Sequence, residues 1–423
     1  MAAYIKDDCR SERKRMRSCI FCADPLGPDT KPEHILLDAL GGRMTTRVVD
    51  CSACNNLFGN GIDKAFADQL PEIRNLLQFR SGSGRAAPSL KNVRAGDQIL
   101  NLGGDGKIDL VRKPFTVKKN PDGTFAIDIH ARSIEEIEEL TPHIAASIKM
   151  PVEEFRKQLL ASSASMIEQR PNTIPFRLSF GRIDAFRSAV KSCLVLWATT
   201  VGNDEVSGEP YRAARNFVVA GDEAFYRSST MLDTRPIPIV DEIRAAYGPL
   251  FNLIHVHSDA MGRVIGHFTL YNLIALRVVL AETGGTPDRG MTLVSNPEAP
   301  EVWSKGSNFD FPSEWLSTPE YSLEDVRERL ARFQVHYAES KTPDEFERMI
   351  VDVLEKNGLR QGDSVPAALA HTIGGELGLR VAMHRSGLPF EEKATLAELM
   401  RRYRKQASTP KEDPPSSGGE TKG

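Results

Sequence analysis

The sequence predicts an α+β protein in three parts: a cysteine-rich N-terminal module over residues 1–85, a mixed α+β domain over 86–320 and a helical region over 321–406. The last residues, 407–423, are expected to be a disordered tail. Three observations carry this prediction. Four of the six cysteines fall in two Cys-x-x-Cys pairs near the N-terminus, strand and helix periodicities follow one another through the middle of the chain, and helix start and stop signals punctuate the sequence after Trp315.

The first module closes at "RSGSGRAAPS", whose Gly, Ser and Pro content suits a linker. Beyond it, "PFTVKKNPDGTFAIDIHAR" alternates apolar and polar residues on both sides of Asn120-Pro121-Asp122-Gly123, which predicts a β-hairpin. "SIEEIEELTPHIAASIKM" and "PVEEFRKQLLASSASMIEQ" then change to helical spacing with acidic first turns. The run "AFRSAVKSCLVLWATTV" from Ala185 is apolar on most faces, so it predicts a helix buried at the centre of the second domain, with Cys193 as a small core residue. "FNLIHVHSDAMGRVIGHFTLYNLIALRVVLA" predicts two or three strands around a turn at residues 258–262. His255 and His257 alternate on one of these strands and share a face, an arrangement commonplace on half-exposed strands. Two helices are expected near the end: "SLEDVRERLARFQVHYAE", with Ser322 and Asp325 spaced as in a capping box, and "TPDEFERMIVDVLEKNG", opened by Pro343 and closed by Gly358. The tail "STPKEDPPSSGGETKG" has nothing to pack. No internal repeat is present.

Composition narrows the class. With 40% hydrophobic and 26% charged residues over 423 positions, the chain can bury more than one core. A net charge of -3 gives no global basic field, so a nucleic-acid partner would be held by a local patch. The N-terminus "MAAYIKDDCRSERKRMRSC" is charged where a secretory leader is apolar, and no stretch approaches the roughly 20 apolar residues of a membrane span. The expected location is cytoplasmic, without a membrane partner. In that reducing compartment Cys19, Cys22, Cys51 and Cys54 read as metal ligands rather than disulfides, while Cys9 stands alone.

Two thiol pairs separated by residues 23–50 supply the four ligands of a closed tetrahedral zinc site. Such a site has no open position, so the zinc is expected to be structural. Glu33 and His34, between the pairs, are then free for other work. An imidazole titrating near neutrality can take a proton from water, and a carboxylate prefers a hard ion such as Mg²⁺ or Mn²⁺. Asn55, directly after the last cysteine, offers an amide oxygen as a second ligand for that catalytic cation.

The succession "CIFC", "EHILLDALGGR", "CSACNNLFGNGID" resembles the zinc-stapled HNH endonucleases, in the branch with Cys-Asn at the end of the second pair and Phe-Gly and Ile-Asp downstream. The resemblance covers roughly Cys19 to Asp63. It implies a ββα-metal fold, with Glu33 and His34 on a β-hairpin and a helix beginning near Asn55. It implies His34 as general base, Glu33 and Asn55 as ligands of catalytic Mg²⁺ or Mn²⁺, and nucleic acid as substrate, DNA before RNA; many such nucleases serve in defence against foreign DNA. One departure is visible. Members usually carry an asparagine shortly before the second thiol pair that orients the histidine, and "TTRVVDC" has none; Thr46 or a backbone carbonyl would have to substitute.

Arg43 and Arg47 within the motif, and the run Arg10, Arg13, Lys14, Arg15 and Arg17 before it, are candidates for phosphate contacts, or else solvated basic residues. Asn56 is a candidate helix cap and Asp63 a candidate structural contact. Two plainer readings stand beside the nuclease: a zinc ribbon used as scaffold with an incidental Glu-His pair, and a catalytically inactive zinc-containing nucleic-acid-binding or adaptor protein. The second domain could serve a regulatory ligand or a homo-oligomer, and its role is not written in these residues.

Overall fold

The computed structural model describes residues 17–106, 108–131, 134–168, 182–299, 301–304, 309, 311–386, 388 and 390–398. Arg10, Arg13, Lys14 and Arg15 of the basic run, Cys9 and the expected tail over 407–423 lie outside the described residues. The chain divides into two compact units: Met1–Lys91, Asn101–Ile108 and Pro175–Ala338 form the first, and Asn92–Leu100, Asp109–Ile174 and Glu339–Gly423 the second.

The first unit begins with strands β1 (Glu33–His34) and β2 (Thr45–Thr46), paired antiparallel with Glu33 opposite Thr46 and His34 opposite Thr45. Helices α1 (Ser52–Asn60), α2 (Ile62–Ala67) and α3 (Pro71–Leu76) follow. Helix α1 starts at Ser52 rather than near Asn55. Cys51 caps it, its sulfur accepting the backbone N–H of Cys54 at 3.4 Å, which satisfies one of the free donors of the first turn.

Helix α4 (Ile183–Val201) is the expected central helix, and residues 188–198 are buried without interruption. It lies on a five-stranded antiparallel sheet made of β3 (Thr230–Leu232), β4 (Asn252–Ser258), β5 (Val264–Leu270), β6 (Ile274–Ala281) and β7 (Gly290–Ser295), in the order β7-β4-β5-β6-β3. The helix approaches the sheet closely at Gly266, where a Cβ would come 2.8 Å from the Cys193 sulfur. The thiol-bearing segment shares this core: Ile35, Leu40, Phe58, Phe66 and Ile73 join Leu194, Trp197 and Phe268 in one buried cluster. Two asparagines stitch it down. Asn203 Nδ2 donates to the carbonyls of Ser18 at 2.7 Å and Val48 at 2.6 Å, and Asn252 Nδ2 donates to Leu40 O at 2.9 Å.

In the second unit the hairpin forms as the sequence predicts, with Phe115–Lys119 paired to Phe125–Ile129. Its apolar residues pack with helices Ile134–Ser147 and Val152–Ala161 around Ile144 and Phe155. The second of these helices ends earlier than its spacing suggests. The three serines of "SSAS", residues 162–165, are poor helix formers, and Ser163–Glu168 instead pairs antiparallel with Phe390–Thr395, a strand inside the stretch expected to be helical. The two helices expected after Ser322 are one, Leu323–Lys356, which continues through Thr342 and Pro343. A proline inside a helix removes one hydrogen bond, and neighbouring turns carry the helix across the gap. The Ser322 hydroxyl accepts from the backbone of Asp325 at 3.4 Å, as the capping pattern implies. Among the described residues no helix is long and apolar enough to cross a membrane.

His255 and His267 sit opposite each other on β4 and β5, both fully buried. Burial pushes the His267 imidazole down to about 4, and His255 also falls well below its ordinary range. A histidine whose folded-state value is depressed contributes stability that is complete above its unfolded value near 6.5 and is lost as pH falls towards 4. His267→Gln is therefore expected to remove roughly 3 kcal/mol from the acid destabilisation of the chain, read as a flatter dependence of melting temperature on pH between 6.5 and 4.

Candidate active site

The four cysteines of the two pairs converge, with sulfurs all within 4.8 Å of one another. A tetrahedral Zn²⁺ with bonds near 2.3 Å places its sulfurs about 3.8 Å apart, so this thiol set fits that ion. Among the described residues it is the one group of three or more His, Cys, Asp or Glu ligand atoms close enough to share a metal. Each pair sits on a tight local turn. Around the first, Cys19 N–H donates to Asp24 O at 2.8 Å and Ala23 N–H to Cys19 O at 2.9 Å; the second opens α1. Burial pushes Cys22 up to about 12 and raises Cys54 further. Thiols so placed ionise together when a cation joins them.

Between the pairs the backbone makes a sharp return. A 3₁₀ turn, Asp38–Leu40, ends on Gly41 with φ +94°, and a Cβ at Gly42 would meet Leu36 O at 1.8 Å. The left-handed φ thus calls for glycine at 41, and backbone crowding calls for it at 42. The turn brings Asp38 back towards His34, Oδ1 to Nε2 3.9 Å. Asp38 is fixed by Ser83, whose N–H donates at 2.7 Å and hydroxyl at 3.1 Å, and by Arg85 at 2.9 Å. Burial opposes ionisation of Asp38, but the Arg85 hydrogen bond, His34 and Ser83 together hold it below the usual carboxylate range. His34, its side chain 35% exposed, is lowered by burial against the opposing pull of Asp38. A neutral imidazole beside a carboxylate can accept a proton from water.

Glu33, one residue earlier, points inward and is buried. Its Oε1 accepts from Lys191 Nζ at 2.5 Å, and the same ammonium bonds Asp63 Oδ2. Lys191 comes from the middle of α4 and is fully buried. One turn earlier on that helix, Ser188 donates to Asp63 Oδ1 at 2.5 Å. Desolvation raises the Glu33 carboxyl, with Lys191 opposing, and the two carboxylates raise the Lys191 ammonium against its own desolvation. Asp50 lies in the same field. It is wholly buried, both oxygens lack a hydrogen-bond partner among the described residues, and burial followed by Glu33 pushes it up to about 8, so it is protonated at neutral pH.

Asn55 Nδ2 donates to Pro32 O at 3.1 Å, beside the start of β1. A carbonyl only accepts, so the amide nitrogen must face it, and Asn55 Oδ1 is left without a protein partner among the described residues. Asn56 does not cap a helix; its Oδ1 accepts from Lys31 Nζ at 3.2 Å. Thr46, expected as a substitute for the orienting asparagine, accepts from Val48 N–H at 3.4 Å. Arg47 donates to Thr30 O at 2.6 Å, and Arg43 is half-buried, its Nε buried and without a hydrogen-bond partner among the described residues.

Sequence reasoning did not reach Lys191, Asp38, Asp50 or Arg85, and it held Asp63 as a structural contact only. One signal was available for Lys191. A lone lysine inside a helix that reads as apolar on most faces must be paired when buried.

A thiol cluster, a hairpin with adjacent carboxylate and imidazole, and a helix capped by the third thiol make up a small hairpin-helix module. Residues 19–71, which hold all of these groups, match the HNH endonuclease family. No curated protein and no solved structure matches the chain.

Two outcomes are expected. Elemental analysis finds one zinc per chain, and Cys54→Ser loses it with a drop in melting temperature. Gly42→Ala, which drives a Cβ into the Leu36 carbonyl, destabilises by more than about 2 kcal/mol in denaturant unfolding.

Proposed function

We propose that the segment 19–71 is a metal-dependent HNH endonuclease domain, with a ββα-metal arrangement of β1, β2 and α1, that hydrolyses phosphodiester bonds of nucleic acid, DNA before RNA. The observation that carries this reading is the half-exposed, neutral His34 facing the fixed Asp38 carboxylate, in a segment that matches this family. His34 takes a proton from the attacking water on the ring nitrogen remote from Asp38. Asp38 stabilises the imidazolium that forms and takes over the orienting role for which this chain has no asparagine.

The four cysteines hold the structural zinc. For the catalytic cation the donor set fits a hard ion: Glu33 keeps Oε2 and Asn55 keeps Oδ1 without hydrogen-bond partners among the described residues. Bound there, Mg²⁺ or Mn²⁺ would neutralise charge developing on the phosphate and the departing oxygen. Arg43 and Arg47 are the candidates for phosphate contacts, with one nitrogen of the Arg47 guanidinium already engaged by Thr30 O.

A second reading, a catalytically silent nucleic-acid-binding or adaptor module, is favoured by the Lys191 ammonium on Glu33. Plasmid cleavage separates the two. The native chain with Mg²⁺ or Mn²⁺ is expected to nick supercoiled DNA, and His34→Ala to lose at least about 100-fold in rate while binding DNA as before. Equal binding with no cleavage by either protein, across both metals, would establish the silent module.

A further inference from the structure

Lys191 and Asp63 of the buried ion triad have no part in hydrolysis at His34. Lys191 is 1% exposed, so it cannot reach a substrate phosphate, and it acts only through the carboxylates it touches. Asp63 has both oxygens occupied, Oδ1 by the Ser188 hydroxyl and Oδ2 by the ammonium. Glu33 has one occupied, Oε1, and its other oxygen has no hydrogen-bond partner among the described residues. A divalent ion arriving at this carboxylate would therefore meet Oε2 alone, with an ammonium already on the opposite side.

We propose that Lys191 is the resident cation of the Glu33 carboxylate and sets the divalent-metal affinity of the site by competing for its charge. Like charges flanking one carboxylate repel, and inside the protein that repulsion is weakly screened. Lys191 is thus a positioning residue that keeps Glu33 turned inward and makes metal binding depend on further ligands, of which a substrate phosphate oxygen is one. The inference rests on the nuclease reading only in taking Glu33 as a ligand for a hard cation.

The test is Mn²⁺ binding to the zinc-loaded full chain without nucleic acid, followed by the electron paramagnetic resonance signal of free Mn²⁺. Lys191→Met removes the competitor, and the double variant Lys191→Met with Asp63→Asn does so while keeping the summed charge of the triad at its native value. The double variant is expected to bind one Mn²⁺ at least tenfold more tightly than the native chain, and adding Glu33→Gln is expected to abolish the gain. A purely structural ion triad predicts no gain. Equal affinity in native and double variant overturns the proposal, as does a gain that survives Glu33→Gln. Failure of Lys191→Met to fold with Mn²⁺ present also overturns it, since a competing ion would restore the lost positive charge. Plasmid cleavage is read separately. Cutting by the native chain without the Mn²⁺ gain removes this inference and leaves the nuclease; the gain without cutting does the reverse.

Discussion

The buried ammonium of Lys191 is the point at which the first unit is tied together. It joins β1 and α2 of the thiol-bearing segment to the central helix through Glu33 and Asp63, partners 158 and 128 residues away in sequence. Such a triad is weak evidence for net stability, because desolvating three charges offsets much of their attraction. Its force lies in the penalty for losing one member, since a carboxylate or ammonium left alone in the core costs roughly 3–5 kcal/mol. Specific placement of β1, and of the imidazole beside Glu33, results from that asymmetry.

Around this anchor the site is built from two kinds of constraint. The left-handed backbone at Gly41 and the close backbone approach at Gly42 accompany the turn that brings Asp38 to His34, and Ser83 and Arg85 then fix Asp38. The thiol pairs act at the other end of the module, where Cys51 is both a cluster member and the cap of α1. One sulfur thereby sets where the helix starts and so where Asn55 stands.

What the sequence made legible was local. The thiol pairs, the Glu33-His34 dipeptide, the Gly-Gly turn, the hairpin around Asn120–Gly123 and the apolar central helix all show themselves in short windows, because spacing and turn chemistry act over a few residues. Partners distant along the chain did not show. Lys191 finds Glu33 and Asp63 only once α4 has packed, and Asp38 is recognised as a neighbour of His34 only when the turn and Ser83 are in place. Two local readings also gave way to context. Pro343 does not end its helix, and "SSAS" leaves helical spacing for a strand whose partner, Phe390–Thr395, is more than two hundred residues further on. The packing of helix α4 and its sheet against the thiol-bearing segment is likewise something that no linear pass displays.

Asn203 adds a last consequence. Its one amide nitrogen grips the backbone on both sides of the sulfur cluster, at Ser18 and at Val48, and it stands just beyond the end of α4. An ion shared by the four thiols would hold those two loops together and so support the grip at the foot of the main helix. An ion on the four thiols would thereby be coupled to the packing of the whole first unit instead of to a detachable finger.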